Sequence, residues 1–229
     1  MGADWVIGFS LFVGASLIPI IGKHASETSA PISITIEAPN RKALYAGDSI
    51  TLGWSQASQA RNTGISGATA ETIGRRFATE IQNGSPKYVH ILAGTNDIYG
   101  NGKWDASTVA HVSSSVDAAR ARNIPVIVGT IPPLDSIAHP TLAAQVPLYN
   151  AALIAEVKPK GAFIADYYSA MVLPTGLQNP ALFYDGVHPN AAGYEVMTKV
   201  LRQTKREMYK TVYTPEQRAA WREKRKAKK

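Results

Sequence analysis

The sequence predicts an α/β/α sandwich: a parallel central sheet, of flavodoxin-like type, covered by helices on both faces. Three observations point there. Strand-like and helix-like stretches alternate along the chain, the pattern of successive βα units. Ala43-Leu44-Tyr45-Ala46 is a short apolar run entering Gly47, as a buried strand does where it ends in a turn. Pro125–Thr130 is strongly β-branched and is closed by Pro132-Pro133.

The other elements fall in order around these two strands. Helical spacing covers Ala68–Glu80. Tyr88–Ala93 reads as the next strand, followed by a polar loop through Trp104. Thr108–Arg122 reads as a helix, Leu148–Val157 as another, and Ala162–Ala165 as a short strand. Asn190 is placed to cap a helix running from Ala191 to about Lys205, because its side chain can accept from an orphan amide of the first turn. Thr214-Pro215-Glu216-Gln217 is a capping box with proline at the first helical position. There is no internal repeat.

The chain has 229 residues, of which 45% are hydrophobic and 18% charged. Those values fit one globular domain and exclude a disordered or collagen-like chain. The absence of cysteine excludes a disulfide framework, a thiolate zinc site and a cysteine nucleophile. The net charge of +7 is concentrated at one end. Arg202–Lys229 holds eleven Lys and Arg against three Asp and Glu, whereas the remaining 201 residues hold 13 and 14. The body is nearly neutral, so the basicity is no argument for specific nucleic-acid binding.

Four regions follow. Residues 1–24 form a hydrophobic N-terminal segment, 25–40 a polar linker, 41–205 the α/β domain and 206–229 a basic C-terminal tail. Trp5–Gly22 has no charged side chain, and ten of its residues are Val, Ile, Leu or Phe. Each of those favours membrane insertion by about 0.3–0.6 kcal/mol. The length lies between a signal-peptide core and a short span, so the segment reads as a signal peptide or a membrane anchor. The nearest small-residue cleavage site, Thr28-Ser29-Ala30, is followed by Pro31, which favours an uncleaved anchor. The expected location is membrane-anchored or secreted/periplasmic. Within the linker, Ile32–Ile36 alternates as a short β-prone stretch. The tail is expected either to solubilise the chain or to contact an anionic surface.

Chemistry concentrates in four short motifs: Gly47-Asp48-Ser49-Ile50, Gly64-Ile65-Ser66-Gly67, Gly94-Thr95-Asn96-Asp97 and Asp185-Gly186-Val187-His188-Pro189-Asn190. Each follows a predicted strand or precedes a predicted helix, and sites in open α/β sheets assemble at strand carboxyl ends. A serine hydroxyl is a poor nucleophile until a base takes its proton. His188 can be that base for Ser49 if a carboxylate holds its other ring nitrogen, and Asp185 lies three residues earlier in the same loop. The N–H of Ser49, the N–H of Gly67 and the side-chain amide of Asn96 are candidate oxyanion donors. Glycine at 67 would let a substrate approach the backbone closely. Gly64 competes for that role, but Gly67 immediately precedes the helix. Asp97, beside Asn96, is a less suitable triad acid than Asp185, which shares the histidine's loop.

These motifs resemble the four blocks of the SGNH hydrolases, the GDSL-type esterase/lipase superfamily. The resemblance runs from Lys42 to about Arg202. It rests on Gly47-Asp48-Ser49, Gly67, Gly94-x-Asn96-Asp97 and Asp185-x-x-His188-Pro189. It implies a three-layer α/β/α fold, a Ser49-His188-Asp185 triad, and Ser49, Gly67 and Asn96 as oxyanion donors. Such chemistry requires no metal and no cofactor. Position 51 is threonine, so the Gly-x-Ser-x-Gly elbow of the α/β-hydrolase fold is absent.

Short connections and a few aromatics, Trp54, Tyr99 and Trp104, suggest a cleft for a small acyl group on a polar alcohol. The expected substrate is a small acyl ester, acetyl first, on a carbohydrate. A lysophospholipase or thioesterase is the alternative within the same chemistry. A non-catalytic anchored binding module is the alternative outside it.

Overall fold

Short β-branched and apolar segments with no exposed face pair most readily in the middle of a sheet covered on both sides. The computed structural model, which describes residues 42–55 and 60–226, builds such a sheet. Its strands are β1 (Leu44–Gly47), β2 (Arg61–Asn62), β3 (Val89–Leu92), β4 (Val126–Gly129) and β5 (Phe163–Ala165). All pairings are parallel, in the order β2-β1-β3-β4-β5. Leu44 pairs with Val89 and Val89 with Val126. Every residue of β1, β3 and β4 is buried, so both faces of the central strands are covered.

The helices are α1 (Ser49–Leu52), α2 (Ala70–Gln82), α3 (Thr95–Tyr99), α4 (Ala106–Arg120), α5 (Pro140–Ala143), α6 (Gln145–Val157), α7 (Tyr167–Met171), α8 (Ala191–Val212) and α9 (Pro215–Lys226). A 3-10 turn spans Pro180–Leu182. Helix α4 packs between α2 and α6, while α8 packs on α7 and β5. The result is the expected three-layer α/β/α sandwich. Ile73, Phe77, Val116 and Leu153 fill the α2–α4–α6 side of the core, each contributing about 1.5–3 kcal/mol by its burial.

The α8 side is aromatic and polar. Trp54 sits edge-on to His90 and to Tyr167, at 5.6 and 5.8 Å between ring centres. His90 Nε2 shares a 2.8 Å hydrogen bond with the Tyr167 hydroxyl. Burial, helped by the charge of Lys205, lowers the His90 pKa to about 3, so this ring is neutral.

The long elements lie within a few residues of their predicted positions, and five short ones are additions. Helices α1, α3, α5 and α7 and strand β2 have two to five residues each, too few to show a period. Helix α3 lies inside the stretch expected to be a polar loop. Helix α8 runs to Val212, past the predicted end near Lys205, because Met208 is fully buried and carries the core-facing stripe onward. The domain and tail boundary expected at 205/206 therefore falls within a continuous helix. The capping box forms: Thr214 N–H donates to Gln217 Oε1 at 2.9 Å and Gln217 N–H to Thr214 Oγ1 at 3.3 Å. The Trp5–Gly22 segment and the Ile32–Ile36 stretch lie outside the described residues. Among those described, no helix is long and apolar enough to cross a membrane.

Gly94 caps α3 with φ +116°, and a Cβ there would lie 2.4 Å from the Tyr149 ring. Gly102 has φ +82° with open space around a Cβ. Gly94→Ala adds overlap to strain and is expected to lower unfolding free energy by about 3–4 kcal/mol, against about 1–2 kcal/mol for Gly102→Ala. Urea unfolding of both variants checks this; equal losses would refute the packing role of Gly94.

Candidate active site

In an open doubly wound sheet the crevice lies where strand order reverses. Here that point is between β1 and β3, and the chain leaving each of these strands carries a motif. Ser49 is the first residue of α1, directly after β1. Asp48 caps that helix: its Oδ1 accepts from Ile50 N–H at 2.9 Å. Asn96 lies in the first turn of α3, directly after β3.

The Ser49 Oγ is 2.9 Å from His188 Nε2, across 139 residues of sequence. His188 Nδ1 is 2.8 Å from Asp185 Oδ2. The other Asp185 oxygen accepts from the backbone N–H groups of Val187 and His188 at 3.0 and 2.8 Å. Partial burial raises the Asp185 pKa, but these amides and the imidazole outweigh it and hold the carboxyl below its ordinary value. Asp185 is therefore an anion at neutral pH and favours the Nδ1–H tautomer of His188. A hydroxyl aligned in this way can pass its proton to Nε2 as it attacks an electrophile.

The Gly67 loop is fastened from both sides. Ile65 N–H donates to Gly47 O at 3.1 Å, extending the β1 contact. Asn96 Nδ2 donates to Ala68 O at 3.0 Å, and Asp97 Oδ2 accepts from Ala70 N–H at 2.9 Å. One amide hydrogen of Asn96 is thus used to hold the loop, leaving the second for another acceptor. Gly67 has φ +74° and no atom within 4 Å of where a Cβ would stand. Gly64 is different: a Cβ there would lie 2.4 Å from Leu52 N. Gly64 is glycine so that the loop can pass against α1, whereas Gly67 is glycine for its backbone conformation.

Apart from Asn190, the histidine loop is held by residues the motifs did not single out. Buried Gln178 donates to Pro133 O and to Gly186 O, both at 2.7 Å. Asp135 N–H donates to Gly186 O at 3.0 Å, and Tyr184 N–H to His188 O at 2.9 Å. Asn190 caps α8 by accepting from Gly193 N–H at 3.1 Å. Only Asn190 had a sequence signal; Gln178 is a lone polar residue in an unpatterned stretch.

The three aromatics expected to line a cleft have different fates. Trp54 is 1% exposed. Its indole N–H donates to Thr198 Oγ1 at 3.1 Å, so it packs in the core beneath α8 and faces no cleft. Trp104 stands edge-on to Tyr149 and lines a groove of about 740 Å³ between α4 and α6. None of Ser49, Gly67, Asn96, Asp185 and His188 lines that groove. Tyr99 is exposed at the end of α3, edge-on to His139 at 5.3 Å. Among the described residues, no cluster of three or more His, Asp or Glu could hold a metal ion.

A parallel sheet of this order, with a hydroxyl–imidazole–carboxylate chain at its switch point, is the framework of an esterase-type hydrolase. The chain belongs to the GDSL-like lipase/acylhydrolase family, whose model matches residues 45–196. It is similar to a GDSL-like lipase from Bacteroides thetaiotaomicron, with 28% identity and a TM-score of 0.65 over 73% of this chain and 88% of that one. A protein from Bacteroides fragilis is 31% identical, with a TM-score of 0.66 over 77% of this chain and 90% of that one. A variant of an acetyl xylan esterase from Geobacillus stearothermophilus shares the fold at 20% identity and a TM-score of 0.60, over 72% and 94% of the two chains. No protein of curated function matches by sequence.

Asp48 is fully buried beside Ser49. Burial raises its pKa from 3.8 to about 6, outweighing the amides of Ile50 and Thr51, the Thr95 hydroxyl and the charge of His188. Its Oδ2 and the Thr95 hydroxyl both lack a partner at good hydrogen-bond geometry. A carboxyl whose pKa rises on folding opposes the fold only when ionised. Its unfavourable contribution is absent below pH 3.8, grows as pH rises through about 6, and then levels off. Asp48→Asn keeps an acceptor for the Ile50 amide and removes the charge. The stability of Asp48→Asn relative to wild type is expected to rise between pH 4 and 7, by at most about 3 kcal/mol. Thermal unfolding across that range tests this, and a pH-independent difference would contradict it.

Proposed function

We propose that this family member is a serine esterase that removes small acyl groups, acetyl first, from a carbohydrate. The observation that carries the reading is the unbroken chain from Ser49 Oγ through His188 to Asp185, with contacts of 2.9 and 2.8 Å. Ser49 Oγ attacks the ester carbonyl while His188 Nε2 takes its proton. Asp185 keeps the imidazole oriented and stabilises its charged form. The developing oxyanion is met by the N–H groups of Ser49 and Gly67 and by the second amide hydrogen of Asn96. His188 then gives its proton to the departing alcohol. A water molecule, activated by the same imidazole, releases the acid and restores Ser49.

Two features favour a small acyl group on a bulky polar alcohol. The side chains of His188 and Asp185 are 42% and 55% exposed, so a polymer can reach the triad without entering a tunnel. The acetyl xylan esterase likeness supplies a precedent for this fold acting on an acetylated glycan.

Ser49→Ala is expected to abolish turnover of p-nitrophenyl acetate with the fold retained, and Asn96→Ala to lower kcat by about 100–1,000-fold. In a panel of acetylated xylan, acetylated peptidoglycan, a lysophospholipid and an acyl-CoA, the acetylated glycans are expected to react fastest. Preference for the lysophospholipid or the acyl-CoA would replace the carbohydrate assignment with a lipase or thioesterase. Wild-type kcat in Asn96→Ala would remove that amide from the oxyanion site.

A further inference from the structure

General-base chemistry tolerates little slack between nucleophile and base; a displacement of 1 Å can reduce rate about a hundredfold. Ser49 and His188 sit on separate pieces. Ser49 opens α1, a helix of only four residues. His188 lies two residues before Asn190, the cap of α8. Besides the Gln178 and Asp135 bonds that hold the histidine loop, side chains of α8 tie it directly to the segment that carries Ser49.

Two hydrogen bonds make that joint. The Tyr194 hydroxyl donates to the backbone carbonyl of Ile50, next to Ser49, at 2.9 Å. One turn further along α8, Thr198 Oγ1 accepts from the Trp54 indole N–H at 3.1 Å. The Tyr194 and Trp54 rings stack between these bonds, 6.3 Å apart at 23°. Gly53 leaves room for the hydroxyl: a Cβ there would lie 2.8 Å from Tyr194 Oη. Its N–H makes the ordinary first-turn bond of α8 to Asn190 O at 2.9 Å, which places the ring one turn from the histidine loop. Burial raises the Tyr194 pKa to about 12, so the hydroxyl stays protonated and donating across the working range.

We propose that Tyr194 is a positioning residue for the esterase reaction, bridging the Ser49 helix and the His188 loop so that the Oγ–Nε2 distance is set by the α1–α8 joint. This rests on the reading of Ser49 and His188 as nucleophile and base. Tyr194 does not touch the reacting atoms. It acts through the segments that carry them, and Trp54 with Thr198 forms a second rung between α8 and the chain after α1.

Tyr194→Phe keeps the stacked ring and removes only the hydroxyl. The decisive measurement is p-nitrophenyl acetate turnover for this change in the wild-type chain and in a His188→Ala background. In the wild-type chain kcat is expected to fall about tenfold with KM within twofold. In the His188→Ala background the residual rate is expected to be unchanged by Tyr194→Phe, because the contact being positioned is already gone. Equal losses in both backgrounds would mark a merely structural role and overturn the proposal, as would a wild-type kcat in Tyr194→Phe. Trp54→Phe, which removes the indole N–H, is measured in the same two backgrounds. It keeps the proposal testable if Tyr194→Phe fails to fold, and the same kcat-selective, background-dependent loss is expected. Ser49→Ala separates the two levels. If it retains turnover, the esterase assignment of this site fails and the positioning role with it; if it loses turnover while Tyr194→Phe does not, only the positioning role fails.

Discussion

The contact between the Ser49 hydroxyl and the His188 imidazole joins the first β-strand turn to a loop near the end of the domain, and no local structure can make it. It depends on the sheet. Parallel strands need crossovers, which carry successive carboxyl ends to one edge of the molecule. With the order β2-β1-β3-β4-β5, the turns after β1, β2 and β3 meet at a single point. The histidine loop is then brought there by Gln178, Asp135 and the cap of α8. Fold and chemistry are thus coupled through backbone carbonyls: Gly186 O, Ala68 O and Ile50 O each receive a side-chain donor that locks a loop.

Three aspartates near this point do different work because their surroundings differ. Asp185 is well exposed and accepts from two amides and an imidazole, so it stays charged. Asp97 is buried and fastens the start of α2; its burial raises its pKa, with the Ala70 amide pulling the other way. Asp48 is fully enclosed with one oxygen unpartnered. Burial raises its pKa to about 6, so its charge carries a desolvation cost that neither of the other two bears to the same degree. One residue type supplies an orienting anion, a loop anchor and a capping group.

Much of this was legible in the sequence, and the physical reasons are specific. The Pro125–Thr130 stretch announced a strand because β-branched residues and terminal prolines act locally. The five candidate site residues stand out in the sequence because each sits in a short motif beside a strand or helix end. The short elements α1, β2 and α3 were not, because two to five residues show no period. Trp54 misled for a different reason. A tryptophan five residues beyond a candidate nucleophile suits a cleft wall equally well on paper. Its burial under Thr198 and Tyr194 is decided by α8, which lies 140 residues further along. Tyr194 and Gln178 carry no motif at all, since their value lies in the carbonyls they meet. The extension of α8 through Met208 was hidden by the surrounding charges, which made a buried stripe look like the start of a solvated tail.

Helix α8 follows every strand of the sheet in the chain, and the histidine loop is attached to its leading end. A chain emerging from the ribosome therefore displays the serine well over a hundred residues before the imidazole is available to it. The contact between the two side chains forms only once that helix lies against Trp54 and Ile50.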